Sequence, residues 1–204
     1  MFDRFILGLG LLAPRILPNP ETPLAPSGGA VMLVVLWALI GGVGLVYFGS
    51  VRGTGRSWTA LGWRTERLWA QIGAGVLGAL CCALIVVGVH RVMGASFQEV
   101  LATIRGYSPA ERAMLCLVGI QAAFIEESLF RGNLLPALAA RFGNKVALPL
   151  SAVIFALYHL NPRPLSLISK TLFGLVFGGL RLQQESLVAP AVAHALFWIL
   201  IGTL

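Results

Sequence analysis

Six stretches of this chain are apolar over lengths that a bilayer, rather than a water-soluble core, demands. They fall near residues 28–50, 68–89, 112–141, 145–160, 165–182 and 186–204. A helix needs about 20 apolar residues to cross about 30 Å of hydrocarbon at 1.5 Å per residue. The 145–160 stretch is short for a crossing, so it is expected to start or finish below the membrane surface. In hydrocarbon every backbone N–H and C=O must be satisfied within the segment, so these runs are expected to be helices. Composition excludes the alternatives: 57% of residues are hydrophobic, 11% are charged, and the mean hydropathy is +0.85. A soluble domain carries about 25% charged residues. The expected fold is all-α: a polytopic transmembrane helical bundle of about six spanning helices, forming one integral membrane domain over residues 1–204.

Before the first run, MFDRFILGLGLLAPRILPNP holds a short apolar core between Arg4 and Arg15. It lacks a basic leader and a small-x-small cleavage site, so it reads as a short or interfacial helix rather than a signal peptide. Pro18, Pro20, Pro23 and Pro26 end it. The linker 51–67 mixes Arg with Trp58 and Trp63, an interfacial composition, and 90–112 contains a candidate amphipathic helix. Fifteen Lys and Arg against eight Asp and Glu give a net charge of +7. They are spread between apolar runs without a stacking platform, so they face lipid headgroups and no nucleic-acid partner is expected. They also divide almost evenly between the two sides of a six-span topology, which leaves the orientation open. Cys81, Cys82 and Cys116 form no disulfide framework and read as packing residues.

The chemistry sits where charge interrupts the apolar runs, because an ionisable group at a helix centre costs roughly 2.5–3.5 kcal/mol on insertion scales and usually marks a cavity or a site. AFIEESLFRG places Glu126, Glu127 and Arg131 in the middle of 112–141. Neighbouring helix positions point about 100° apart, so the two carboxylates diverge. Glu127 and Arg131, four apart with the acid first, are set for an ion pair. That leaves Glu126 as the unpaired carboxylate, with Gly119, Ala122 and Ala123 one turn back. His159 follows Phe155 by one turn in FALYHLN. Glu126 and His159 each lie about fifteen residues, or about 22 Å, from the turn at 142–144, so an antiparallel pair would bring them to one level. His194 in PAVAHALFW is the third polar group, about 13 Å from the turn at 183–185, with Pro190 available to open its helix. Taken singly, each has a bland reading: a hydrogen-bonded packing histidine, a structural ion pair, a snorkelling Lys170 or Arg181. Gly174, Gly178 and Gly179 read as close helix packing.

Glu126-Glu127-x-x-x-Arg131, Phe155-x-x-x-His159 and the downstream His194 together resemble the three motifs of the CAAX-protease and bacteriocin-processing (Abi) family of intramembrane proteases. The resemblance covers about 112–204, and Leu61-Gly62-Trp63-Arg64 is similar to the family as well. The chain departs from the pattern at Trp198, where the family has Asn. The resemblance implies a multi-pass protein of a bacterial or archaeal cell membrane, acting as a glutamic intramembrane endopeptidase without metal or cofactor. Its partners would be the lipid bilayer and a peptide or protein substrate cut close to the membrane. It further implies that Glu126 and His159 activate a water while His194 stabilises the oxyanion, supported by Glu127, Arg131, Phe155 and Trp198. An apolar surrounding strengthens a carboxylate as a base, and a preorganised donor acts strongly in a dry site. Two His and a carboxylate are also a zinc ligand set by type, but no His-Glu-x-x-His spacing occurs. A non-catalytic immunity factor, scaffold or transporter component would use the same residues as a polar brace.

Overall fold

A computed structural model describes residues 40–94 and 108–203, together with 98, 101, 102 and 105. The expected N-terminal helix, most of the 28–50 run and part of the 90–112 segment lie outside the described residues. Residues 40–46 are helical and pass into a π-helical turn, Tyr47–Arg52. Then come a short helix α1 (Trp58–Leu61), α2 (Leu68–Val92), α3 (Pro109–Glu126), a π-helical stretch (Glu127–Leu134), α4 (Leu135–Phe142), α5 (Asn144–Tyr158), α6 (Pro164–Gln184) and α7 (Val188–Thr203). No strand occurs among the described residues.

Two helices, α2 and α6, are long and apolar enough to cross a membrane. Their 25 and 21 residues correspond to about 37 and 31 Å. Only 22% and 28% of their most apolar windows are buried, so neither is the core helix of a soluble domain. Leu77, Leu80 and Leu84 of α2 stand exposed, an apolar surface suited to lipid. With 15 and 16 residues, α5 and α7 reach about 22 and 24 Å, short of a perpendicular crossing. α7 packs against α2, α3 and α6, while α5 packs against α4 and α6 and α2 also meets α6. The principal core runs through this middle: Cys82, Phe130, Phe155, Phe173, Phe177, Ala193 and Phe197 form one buried cluster.

The 112–141 run is not one uniform helix. Between α3 and α4 the winding loosens into π-helix over Glu127–Leu134, and the Leu135 N–H reaches back five residues to the Phe130 carbonyl. Pro136 explains part of this, since it has no N–H to offer the Gly132 carbonyl four residues earlier. Arg56 supplies the missing donor: one guanidinium nitrogen lies 3.3 Å from the Gly132 carbonyl and the other 3.0 Å from Asn133 Oδ1. Asn133 donates in turn to Ser50 Oγ at 2.8 Å and to the Ser128 carbonyl at 3.0 Å. π-Bulges concentrate at functional sites, and this one begins between the two glutamates. At the opposite seam Gly62 has φ +122°, and a Cβ there would sit 3.0 Å from Leu187 and 3.2 Å from Arg181. Its carbonyl accepts the Leu187 N–H at 2.7 Å, which anchors the entry to α7.

Candidate active site

Arg131 shows how a buried cation is tolerated here. It is 2% exposed. Its Nε lies 3.2 Å from Glu127 Oε2, and Nη1 donates to Oε1 at 3.3 Å. Nη2 donates to the Gly174 carbonyl at 3.2 Å. The guanidinium also lies 4.3 Å from the centre of the Phe155 ring and 5.3 Å from that of Phe177, a cation–π setting. The Gly174 contact depends on close approach of α5 and α6, because a Cβ at Gly174 would sit 2.7 Å from the Ala152 backbone. The acid–base pair four apart thus forms as expected, inside the bundle.

Glu127 holds a second partner that spacing could not reveal. His194 Nδ1 lies 2.9 Å from Glu127 Oε1, and the imidazole stacks on Phe177 at 4.9 Å and 15°. Glu127 is fully buried and His194 nearly so. A carboxylate oxygen that already accepts from the Arg131 guanidinium is an acceptor, so His194 Nδ1 is the donor. His159 is oriented in a parallel way. It caps α5, its Nδ1 lies 2.8 Å from the Phe155 carbonyl, and a carbonyl can only accept. Its ring meets that of Phe155 edge-on at 4.8 Å.

Both imidazoles therefore commit Nδ1 to the scaffold and turn Nε2 elsewhere, in each case toward Glu126. His159 Nε2 is 3.8 Å and His194 Nε2 3.9 Å from Glu126 Oε2. That oxygen is buried and makes no hydrogen bond within the protein, although the side chain as a whole is 14% exposed and that of His159 18%. Buried polar atoms are nearly always satisfied, so an unbonded carboxylate oxygen facing two imidazole nitrogens marks a place for a proton-bearing group. Among the described residues, no group of three or more His, Cys, Asp or Glu side chains is arranged to hold a metal ion.

The structure thus brings Glu126, His159 and His194 together, with Glu127, Arg131 and Phe155 directly behind them. Trp198 lies in the α3–α7 seam, where a Cβ at Gly119 would sit 2.2 Å from its Cβ, and packs against the aromatic core that includes Phe155 and Phe177. Sequence reasoning missed Phe177, which carries His194, and the Arg56–Asn133 link that closes the π stretch. Trp63, from the Leu-Gly-Trp-Arg stretch, donates its indole N–H to Ser128 Oγ at 3.0 Å and so ties the first half of the chain to the turn carrying Glu127.

Residues 108–200 match the family model described as type II CAAX prenyl endopeptidase, Rce1-like. The match agrees with the resemblance carried by the three motifs and spans just under half of the chain. No curated protein and no solved structure matches the chain. The matched segment, from Ser108 to Leu200, carries the whole site and is similar to the CAAX-type prenyl endopeptidases, a family of proteases.

Proposed function

We propose that this protein is a multi-pass intramembrane endopeptidase of glutamic type, with Glu126 as the general base. The observation that carries the reading is the unbonded Glu126 oxygen facing two imidazoles whose outer nitrogens are already fixed. A water seated there can donate one hydrogen to Glu126 and one to His159 Nε2, which turns its oxygen lone pair toward a substrate carbonyl. As the water oxygen bonds to the carbonyl carbon, its proton passes to Glu126. The carbonyl oxygen becomes an oxyanion and takes a hydrogen bond from His194 Nε2–H. His194 enters this step as the doubly protonated imidazolium, with its Nδ1–H on Glu127 at 2.9 Å and its Nε2–H on the oxyanion, and Glu127 balances its charge. Collapse of the tetrahedral species breaks the C–N bond, and the proton held by Glu126 goes to the departing nitrogen. Each step uses a group within reach of the same point.

The family name points to a substrate ending in a prenylated Cys-aliphatic-aliphatic-X tail, and we adopt that class. Its lipid would lie in the bilayer beside the bundle while the peptide enters between α3, α5 and α7. The test is cleavage of an S-farnesylated fluorogenic peptide of this design by protein in lipid nanodiscs. Wild type is expected to release the tail, and Glu126→Gln to lose about 10²–10⁴-fold in rate, the usual contribution of a positioned base. Equal rates for the two would remove Glu126 from the mechanism.

A further inference from the structure

A cavity of about 260 Å³ opens between the last turns of α2 and the first turns of α6, lined by His90, Asn161, Arg163, Ser169, Lys170 and Phe173 among others. Three of these residues are basic, and among the described residues no carboxylate lines the cavity. Lys170 is half-buried, and among the described residues no carboxylate oxygen lies within ion-pair distance of its amine. The Glu126 carboxylate acts on it electrostatically from the reaction centre. A cation left without a counter-ion inside an apolar bundle is costly and marks a functional place. His90 donates Nδ1 to the Val86 carbonyl at 2.8 Å, so its Nε2 remains for another partner. The Arg163 N–H bonds to Asn161 Oδ1 at 3.2 Å, which shapes the rim.

Two features connect this cavity to the reaction centre. Its rim is the loop that leaves His159, with Asn161 and Arg163 two and four residues further on. In addition, Lys170, Gly174 and Phe177 share one face of α6 at helical spacing. Gly174 receives Arg131 and Phe177 carries His194. Lys170 therefore sits seven residues, or about 10 Å, along the helix axis from the level of His194. An extended peptide advances about 3.3 Å per residue, so its third residue past the cleaved bond ends about 10 Å away. We propose that this basic cavity holds the free C-terminal carboxylate of the peptide on the leaving side of the cleaved bond, with Lys170 as its principal cation and Arg163 and His90 beside it. The proposal rests on the endopeptidase reading above and adds what measures the length of the released tail.

The test compares the farnesylated peptide as free acid with the same peptide as C-terminal amide, using wild type and Lys170→Gln in phosphatidylcholine nanodiscs. Loss of one charge-assisted contact is expected to raise KM about 10-fold or more, with kcat little changed. Amidation should do this in wild type, and Lys170→Gln should do it for the acid but not for the amide. Arg163→Gln, at the exposed rim, should show the same pattern more weakly and serves if Lys170→Gln folds poorly. Binding of both peptides to Glu126→Gln protein, read by fluorescence anisotropy, separates the two readings. Preference for the acid that disappears on adding Lys170→Gln supports the cavity whether or not cleavage occurs. Cleavage by wild type without any acid preference overturns the cavity and leaves the protease reading standing. A Lys170 effect that appears only with phosphatidylglycerol in the bilayer would assign the cavity to a lipid phosphate and overturn the proposal as well.

Discussion

Glu126 and Glu127 are neighbours in the chain and opposites in the fold. Glu127 has no exposed surface; Arg131 and His194 both hydrogen-bond its Oε1, and its Oε2, without a hydrogen bond, faces the Arg131 Nε at 3.2 Å as an ion pair. Glu126 retains some exposure, and its inner oxygen has no hydrogen bond at all. A carboxylate paired with a guanidinium and hydrogen-bonded to an imidazole is fixed in place, as the proposed orienting role requires. One whose oxygen makes no hydrogen bond within the protein is open to a water and its proton. The step between the two environments is a single residue, at the point where α3 gives way to π-helix.

Exchanging each carboxylate for its amide is the sharpest way to break that contrast. Glu126→Gln keeps the shape and removes the base, so activity should fall about 10²–10⁴-fold with the melting temperature unchanged. Glu127→Gln should lose about 3–5 kcal/mol of stability, because it strands Arg131 as a buried charge without its partner. Its residual activity should also drop, since His194 loses the anion behind it. Thermal unfolding of both variants in the same detergent checks the pair. A stable but inactive Glu127→Gln protein would show that the two carboxylates share the chemistry.

Arg56→Ala probes the same contrast from behind. The side chain supplies donors to Gly132, Asn133 and Ala60, and leaving those acceptors unmet should cost about 1–3 kcal/mol. Hydrogen exchange should then quicken in Glu127–Leu134 before it does in α6. The smallest effect is expected at Trp198, whose ring packs against Gly119 in the α3–α7 seam. Trp198→Phe should change kcat/KM by less than the tenfold that about 1.4 kcal/mol represents. A larger loss would give the indole N–H a place beside His194 at the oxyanion.

Local rules made much of this legible from residues alone. The Glu127–Arg131 pair follows from a spacing of four, and the level of Glu126 and His159 from equal counts to the turn, which the structure makes at Gly143 with φ +75°. Hydropathy marked the helices from 68 onward but not the break inside 112–141, because apolar character continues through Leu129, Phe130, Leu134 and Leu135 while the winding changes. What spacing could not supply were contacts between distant segments. His194 is 67 positions from Glu127 and Arg56 is 77 from Asn133, and no periodicity in either segment encodes those partners. Phe177 looked like one more apolar residue of a membrane helix, and only the packing of α6 on α7 turns it into the plate under an imidazole.

The central claim is that Glu126 works as a base and not as a ligand. Metal content measured on the active, purified protein, with cleavage assayed before and after chelation, tests it most directly. Glu126, His159 and His194 have the donor atoms of a zinc site, so the two mechanisms call on the same residues. The account predicts no stoichiometric zinc and an unchanged rate after chelation. One zinc per chain, with activity lost on its removal and restored on its return, would contradict it.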